Sequence, residues 1–491
     1  MKIKGLFLLF IFISATGSAV YAQITDIHAK DSVQHRIHKV ENNLRPLVLS
    51  PGASLWNLEK QMQQYNIPGL SVAVIHNYKI DWAKGYGVTG NTESPEITER
   101  TAFQAASMSK FVNAVAMLNL IEQKNLSLDE DINTYLTSWK FTYHKKYDET
   151  PIRIRQLLSH TAGLSIHGFA GYKNANKLPS IIEILEGNKP ANSDRVEQLF
   201  ASQTKFKYSG GGTTIAQLIL TDQSNTSYEN FLNKNIFQPL GMSNSFYSIE
   251  SDRYPRDMAY GHAENGDVLK NQYNLYPESA AAGLWTTPTD LAKFIIDIQL
   301  SLASGKGKIL SQQSTSALIK PSLENSNSAL GLFTEYENGT LYLQHSGSNE
   351  GFRGKFYFSG EHGNGVVILI NGTNTKIIEE IIRSVAYVYQ WTGFKSFEAK
   401  EELNLNDLDL EKYTGTYILD DRAVHVILKK GKLILKEKGK WSSGLTPLTN
   451  SKFVVDIVKP RATIEFITST DGTVSKSKLQ QGETTEWVKK K

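Results

Sequence analysis

A serine followed three residues later by a lysine occurs three times in the sequence, and this pair of side chains can carry acyl-transfer chemistry. The three copies are Ser107-Met-Ser-Lys110, Ser202-Gln-Thr-Lys205 and Ser475-Lys-Ser-Lys478. On a helix this spacing places both side chains on one face. A lysine that is partly desolvated there has a lowered pKa and can help to deprotonate the serine hydroxyl. The spacing alone does not select one copy, because a serine in such a position is ordinarily a helix cap.

The residues around the first copy distinguish it from the other two. Ser107 and Lys110 precede Phe111–Ile121, which is apolar on nearly every side and predicts a helix that is buried all round. A serine there lies at the positively polarised start of the helix. The second copy lies in a polar stretch before a glycine cluster, and we interpret the third as part of a polar turn. We therefore predict that Ser107 is a nucleophile that forms a covalent acyl-enzyme with the help of Lys110.

Short apolar runs near both ends of the main domain predict the sheet that supports this helix. Leu70–Ile75 and Ile80–Tyr86, separated by polar residues, are typical of a β-hairpin. Lys355–Phe358 and Val366–Ile370 predict two adjacent strands joined by a glycine-rich turn, and a helix over Lys376–Trp391 follows them. Strands at both ends with a helical middle indicate an α/β sandwich in which the two ends of the domain meet in one sheet.

Changes in composition divide the chain into five segments. They are residues 1–22, 23–50, 51–391, 392–407 and 408–491. The first has a charged start, an apolar centre and a small-residue site ending at Ala22, which is typical of a cleavable signal peptide. This pattern predicts a periplasmic or secreted protein, and the alternative is an uncleaved anchor. A polar N-terminal lead-in, the main α/β domain and a linker follow. In the last segment, apolar residues alternate around turns and predict a small antiparallel sheet or barrel.

Composition and missing motifs exclude several classes of protein. The sequence has no cysteine, which rules out thiol catalysis, thiolate metal sites and disulfides. Its formal net charge of +4 is small, and no basic stripe with interleaved aromatic residues predicts a nucleic-acid surface. No later stretch reaches about 18 uninterrupted apolar residues, so we expect no membrane span in the mature chain. The 11 histidines form no H-E-x-x-H motif, so we expect no metal site and no cofactor. The sequence also has no G-x-S-x-G elbow, which argues against an α/β-hydrolase.

Seven fragments, in family order over about residues 55–390, resemble the serine β-lactamase and penicillin-recognising D-Ala-D-Ala peptidase superfamily, in its class C and carboxypeptidase branch. They are Phe103–Lys110, Leu126–Asp129, Ile154–Leu164, Tyr208–Gly210, Pro239–Met242, Ala282–Leu291 and His345–Gly347. The third is a very specific match. The resemblance implies a β-lactamase/transpeptidase-like α/β sandwich, with an antiparallel sheet and a helical subdomain, over residues 51–391. Residues 408–491 resemble the lipocalin-like β-domains appended to some of these hydrolases, which implies a small barrel-like domain.

The resemblance also implies roles for individual residues. Tyr208 would approach the Ser107 hydroxyl and, with a lysine cation nearby, act as general base and later as proton donor. His345 would bind a substrate carboxylate or tune Tyr208, and Gly347 belongs to the same substrate-binding triplet. The backbone N–H groups of Ser107 and Ser348 resemble the oxyanion hole of the family.

Two positions depart from the family pattern. Gly210 stands where members have an asparagine that binds the substrate amide, and His345 stands where many members have a lysine. Losing a side-chain hydrogen bond of this kind costs about 0.5–1.5 kcal/mol. We therefore expect weak β-lactam hydrolysis and a better fit to the peptidase, esterase and amidase members. His160 lies in a segment that is scaffold in the family, and we interpret it as a buried structural histidine.

Taken together, these residues predict an exported serine hydrolase that acts on amide or ester substrates, such as D-amino-acid peptides or related small acyl compounds. Its expected partner is therefore a small-molecule or peptide substrate. Two alternatives stay open: a class C-like β-lactamase, and a penicillin-binding sensor or peptide-binding protein that acylates slowly or not at all. The presence of Ser107, Lys110 and Tyr208 together argues against an inert binder, because binding alone needs no proton-transfer groups.

Overall fold

The computed structural model describes residues 32–147, 150–247, 257–324, 326–394, 397–399, 403, 405–419, 422–437, 441–456, 462–481 and 483–490. The expected signal peptide, residues 1–22, lies outside this part of the chain. Among the helices of the described residues, none is both long enough and apolar enough to cross a membrane.

A six-stranded antiparallel sheet forms the centre of the main domain. In chain order the strands of this domain are β1 (Val48–Leu49), β2 (Gly69–His76), β3 (Lys79–Gly87), β4 (Phe103–Gln104), β5 (Trp285–Thr286), β6 (Phe333–Glu337), β7 (Thr340–Asn349), β8 (Phe352–Ser359) and β9 (Gly365–Ile370). The order in the sheet is β3-β2-β9-β8-β7-β6. Leu70 of β2 lies opposite Tyr86 in the expected hairpin and opposite Ile370 of β9. The prediction that both ends of the domain meet in one sheet is therefore confirmed.

Helices cover both faces of this sheet. They are α1 (32–41), α2 (Leu58–Gln64), α3 (Ser109–Lys124), α4 (Ile132–Tyr135), α5 (Ile154–Leu158), α6 (Ile181–Glu186), α7 (Gly210–Ser224), α8 (Tyr228–Leu232), α9 (Gln238–Leu240), α10 (Pro288–Ser304), α11 (Gln312–Leu318) and α12 (Lys376–Val388). Side chains of β2 alternate between the two faces. Ala73 and Ile75 join the core that contains α3 and α10, whereas Val72 and Val74 join the core that contains α2 and α12. This explains why β2 is apolar throughout.

Helix α3 holds the first serine–lysine copy. Its residues from Ser109 to Leu120 are buried, as the sequence predicts, and the 3₁₀ turn Ala106–Met108 precedes it. The ring of Phe111 lies 5.2 Å from the rings of both Phe294 on α10 and Phe356 on β8. The turn that carries Ser107 is therefore fixed by a helix packed between the sheet and its neighbouring helices.

The C-terminal strands close into an eight-stranded antiparallel barrel, which confirms the expected barrel-like domain. After β10 (Phe397–Glu398) and α13 (Asp407–Glu411) come β11 (Gly415–Leu419), β12 (Arg422–Lys429), β13 (Lys432–Glu437), β14 (Trp441–Pro447), β15 (Lys452–Val455), β16 (Ala462–Thr468), β17 (Val474–Gln481) and β18 (Glu483–Lys489). Large side chains fill its interior, among them Tyr417, Phe453 and Phe466. The interpretation of Ser475–Lys478 as a turn is wrong, because these residues continue the pairing of β17 with β18.

Candidate active site

Ser107 lies where the start of α3 meets strand β7 of the sheet. The turn Ala106–Met108 contains the unusual backbone angle φ +50° at Ala106. Strand β7 passes so close to this turn that a Cβ atom at Gly347 would lie 2.1 Å from the carbonyl oxygen of Ala105. Only glycine allows that approach. The glycine of the His345-Ser-Gly347 triplet therefore brings β7 up to the turn that carries Ser107.

Lys110 bonds directly to Ser107. Its Nζ donates to Ser107 Oγ over 3.2 Å and to the carbonyl oxygen of Ala281 over 2.6 Å. The side chain is only 3% exposed, and this burial lowers the pKa of Lys110 to about 7. Ala281 belongs to the turn before β5, which α7 anchors through a bond from Ala280 N to Gln217 Oε1 of 2.9 Å. Near neutral pH the lysine amine can therefore be deprotonated and accept the proton of the serine hydroxyl.

Tyr208 completes the group of three catalytic residues that the sequence predicted. It lies in the loop just before α7, and Lys110 Nζ is 5.0 Å from the centre of its ring. Burial raises the pKa of Tyr208 to about 12, and a hydrogen bond with Ser107 partly opposes that rise. The phenol is therefore protonated near neutral pH, so in the resting site the neutral lysine amine is the available proton acceptor and the phenol can donate a proton.

His345 is deeply buried on β7, with 2% of its surface exposed. Its Nδ1 lies 2.7 Å from the carbonyl oxygen of Ser346, so Nδ1 carries the proton and Nε2 carries a lone pair. Nε2 has no hydrogen-bond partner among the described residues. Burial, and then the nearby Lys110 cation, lower the pKa of His345 to about 3. In the site without substrate the imidazole is therefore neutral, and its ring lies 6.2 Å from the ring of Tyr208, the residue that it is expected to tune.

Gly347 and Ser348 follow His345 on the same strand. Side chains alternate along β7, so that His345 and Gly347 are buried while Ser346 and Ser348 are exposed. Ser348 is paired with Arg353 of β8 in the register of the sheet. The structure therefore places the expected substrate-binding triplet and Ser348 on the strand that passes next to the turn that carries Ser107.

Two histidines lie against Tyr208. The ring of His160 is 4.2 Å from the ring of Tyr208, and that of His167 is 4.9 Å away on the same measure. His160 is 3% exposed, in agreement with a buried histidine, whereas His167 is exposed. Burial, followed by the Lys110 cation, lowers the pKa of both. No sequence motif includes His167, and its position three residues after the Ile154–Leu164 fragment is only a weak signal.

The glycine cluster after Tyr208 has a packing reason. Helix α7 begins at Gly210, and the N–H groups of Gly210 and Gly211 donate to the carbonyl oxygens of His167 (3.1 Å) and Ile166 (3.2 Å). A Cβ atom at Gly210 would lie 3.0 Å from the ring of Phe169. Gly210, where the family has asparagine, therefore allows the loop that carries His167 to approach the start of α7.

The second serine–lysine copy does not form a comparable pair. Ser202 Oγ donates to the carbonyl oxygen of Pro151 over 3.2 Å. Lys205 is exposed, and its Nζ lies 4.3 Å from the centre of the Phe200 ring. Within the part of the chain that the structure describes, no group of three or more histidine or acidic residues could hold a metal ion.

Comparison with known proteins identifies the family of the chain. The family model described as Beta-lactamase matches residues 57–388, which is more than half of the chain and contains all the candidate site residues. The chain belongs to the beta-lactamase family. The family resemblance and the α/β fold inferred from the sequence are thereby confirmed.

Among curated relatives, Protein flp of Staphylococcus aureus (strain MRSA252) is 26% identical over 334 residues, which cover 66% of this chain and 63% of that protein. The chain thus matches slightly less than two thirds of the length of this relative. Among solved structures, the octameric penicillin-binding protein homologue from Pyrococcus abyssi has a TM-score of 0.60 at 20% identity, covering 88% of this chain and 98% of the other. The D-amino acid amidase from Ochrobactrum anthropi SV3, complexed with L-phenylalanine amide, has a TM-score of 0.54 at 20% identity, covering 68% and 99%. These two likenesses show the fold.

Proposed function

We propose that the protein is an exported serine hydrolase that cleaves amide or ester bonds through an acyl-enzyme on Ser107. The observation that carries the proposal is the hydrogen bond of 3.2 Å from Lys110 to Ser107 Oγ, made by a buried lysine whose pKa is lowered to about 7. A buried lysine with this pKa next to a serine hydroxyl is the arrangement that activates a serine nucleophile. The signal-like pattern of residues 1–22 supports export.

The proposed reaction begins with the neutral amine of Lys110. It accepts the proton of Ser107 Oγ while the oxygen forms a bond to the substrate carbonyl carbon. Tyr208, which hydrogen-bonds Ser107, donates its proton to the leaving amine or alcohol, and the Lys110 cation returns a proton to the phenolate. The carbon–leaving-group bond breaks and the acyl-enzyme remains. Water then attacks the ester, and the same groups move the proton in the reverse direction.

The developing negative charge on the substrate oxygen needs fixed donors. We assign this role to the backbone N–H groups of Ser107 and Ser348, because β7 lies directly beside the turn that carries Ser107. Removal of one donor of this kind typically lowers kcat by about a hundredfold to a thousandfold.

The proposed substrates are uncharged amides and esters of small acyl groups, including D-amino-acid derivatives. The neutral state of His345 supports this choice, because it leaves no imidazolium to bind a free carboxylate. The fold likeness to the D-amino acid amidase from Ochrobactrum anthropi SV3 is compatible with it. Peptides of D-amino acids without a free carboxylate next to the cleaved bond belong to the same proposal.

The test is covalent labelling. The purified protein is incubated with a fluorophosphonate probe or a labelled penicillin, and the adduct is mapped by mass spectrometry. We expect one modified residue, Ser107, and no labelling of the Ser107→Ala variant. Ser202→Ala, in the second serine–lysine copy, is the matched control and should be labelled like the unmodified protein. Labelling at another serine, or persistence of most esterase activity in Ser107→Ala, would refute the nucleophile assignment.

A further inference from the structure

His160 contacts Tyr208 and both of its neighbours in the chain, although 47 residues separate His160 from Tyr208 in the sequence. The carbonyl oxygen of His160 accepts a bond of 2.8 Å from the N–H of Lys207, the residue before Tyr208. Its Nδ1 accepts a bond of 3.2 Å from the N–H of Ser209, the residue after Tyr208. The imidazole ring itself lies against the Tyr208 ring, with centres 4.2 Å apart and an angle of 33° between the planes. One residue thus fixes both neighbouring peptide groups and one side of the ring.

The backbone of His160 is in an unusual conformation that makes these contacts compatible. Its φ of +58° lies in the left-handed region, which is uncommon for residues other than glycine. The side chain is 3% exposed, and its buried Nε2 has no hydrogen-bond partner among the described residues. Both features reduce stability, and such features persist where the surrounding structure holds a functional geometry.

The bond from Ser209 also determines the protonation state of the ring. Because Nδ1 accepts a hydrogen bond, the proton of the neutral imidazole must be on Nε2. Protonating Nδ1 would break the bond to Ser209, and burial together with the cation of Lys110 keeps the pKa of His160 well below its usual value. His160 is therefore a neutral ring that accepts a bond, and it is poorly suited to take a proton from the substrate or from Ser107.

We propose that His160 is the positioning residue of Tyr208 and holds the phenol oxygen at hydrogen-bond distance from Ser107. This inference rests on the proposed function, in which Tyr208 transfers a proton. It gives this buried histidine a defined role in the reaction. A displacement of a catalytic group by about 1 Å can lower the rate by about a hundredfold, so a loose Tyr208 ring should have a large effect on kcat.

Two variants separate the contacts of the side chain. His160→Phe keeps an aromatic ring against Tyr208 but removes the acceptor for Ser209. His160→Asn replaces Nδ1 with an amide oxygen near the same position and tolerates a positive φ, but it lacks the ring. Each is assayed on a neutral amide or alkyl ester, whose leaving group needs the proton of Tyr208, alone and in the Tyr208→Phe background, together with its thermal unfolding curve. We expect His160→Phe to lower kcat by about 30-fold with KM changed by less than about twofold. His160→Asn should recover part of that loss.

The decisive measurement is the double-mutant cycle. In the Tyr208→Phe background, His160→Phe should lower kcat by less than about twofold further, because the group that it positions is already inactive. Equal losses in both backgrounds would show a general structural role and overturn the proposal, as would unchanged kcat in both folded variants. If His160→Phe does not fold, His160→Asn carries the same cycle. Absence of fluorophosphonate labelling at Ser107 in the unmodified protein would instead refute the proposed function itself, and the positioning role with it.

Discussion

The pH dependence of acylation should follow the ionisation of Lys110. With its pKa lowered to about 7 by burial, about a tenth of the enzyme carries the neutral amine at pH 6, about half at pH 7 and about nine tenths at pH 8. If the neutral amine accepts the proton of Ser107, kcat/KM should rise about tenfold from pH 6 to pH 8, with a midpoint near pH 7. A lysine at its ordinary pKa of 10.5 would be neutral in only about 0.03% of molecules at pH 7.

The imidazoles near the site can be separated from this effect. Burial keeps the pKa of His345 at about 3 and that of His160 well below its usual value, so neither titrates between pH 6 and pH 8. His167 is exposed and its pKa is lowered more mildly, so His167→Gln is the matched control. The control should keep the midpoint near pH 7. Lys110→Arg, which is always protonated, should lose at least about a hundredfold in kcat/KM at pH 8.

The assay is kcat/KM for a small neutral ester from pH 5 to pH 9 at constant ionic strength, because this parameter reports the ionisation of the free enzyme. A flat profile would mean that Lys110 acts as a cation and that Tyr208 is the base. A midpoint that disappears in His167→Gln would assign the titration to that histidine. Either result would refute the proton path proposed here.

Three further predictions follow from the same geometry. Because burial lowers the pKa of Lys110, the unfolded chain binds more protons than the folded chain between about pH 7 and pH 10.5. The resulting penalty on folding is about 4 kcal/mol at pH 7 and disappears as pH rises. Lys110→Met removes this penalty and should therefore raise Tm, measured by calorimetry, more at pH 7 than at pH 9. Gly347→Ala should lower kcat/KM by at least about a hundredfold and reduce Tm, since its Cβ would meet the Ala105 carbonyl at 2.1 Å. Gly360→Ala, just after the opposite end of β8, would meet the flexible end of the Leu341 side chain at 3.2 Å and should have a small effect. Neutral D-amino-acid amides and esters should be cleaved with a kcat/KM at least about tenfold above that for nitrocefin or a D-Ala-D-Ala peptide with a free carboxylate, and nitrocefin turnover near about 10⁶ M⁻¹s⁻¹ would contradict this order.

Local patterns in the sequence were sufficient for several elements and for the pair at the centre of the site. The apolar run Phe111–Ile121 indicates one buried helix, and the spacing of Ser107 and Lys110 then places both side chains on one face. The hairpin of β2 and β3 follows from two apolar runs around a polar turn. In each case residues close in the chain determine the contact.

The contacts that sequence reasoning missed join distant parts of the chain. The bond from Lys110 to the Ala281 carbonyl, and the contact between the rings of His160 and Tyr208, depend on how loops pack after the helices have formed. The presence of glycine at position 210 does not indicate that the loop of His167 approaches it, because a glycine shows that a side chain is absent but not which segment lies next to it. Helix α1 was expected only as part of a polar lead-in, since Ile37 and Val40 are too few to produce a clear amphipathic pattern.

The pairing of β2 with β9 has a consequence for how the chain folds. Leu70 lies opposite Ile370, so the hairpin of β2 and β3 exposes an unpaired apolar edge until about 300 further residues are present. Contacts of such long sequence separation slow folding and leave strand edges open to other chains. If the protein is exported and crosses the membrane unfolded, that edge emerges early and its partner late. The interval between the two is when this protein is most exposed to aggregation, and a chain that stops before β9 would keep that edge open permanently.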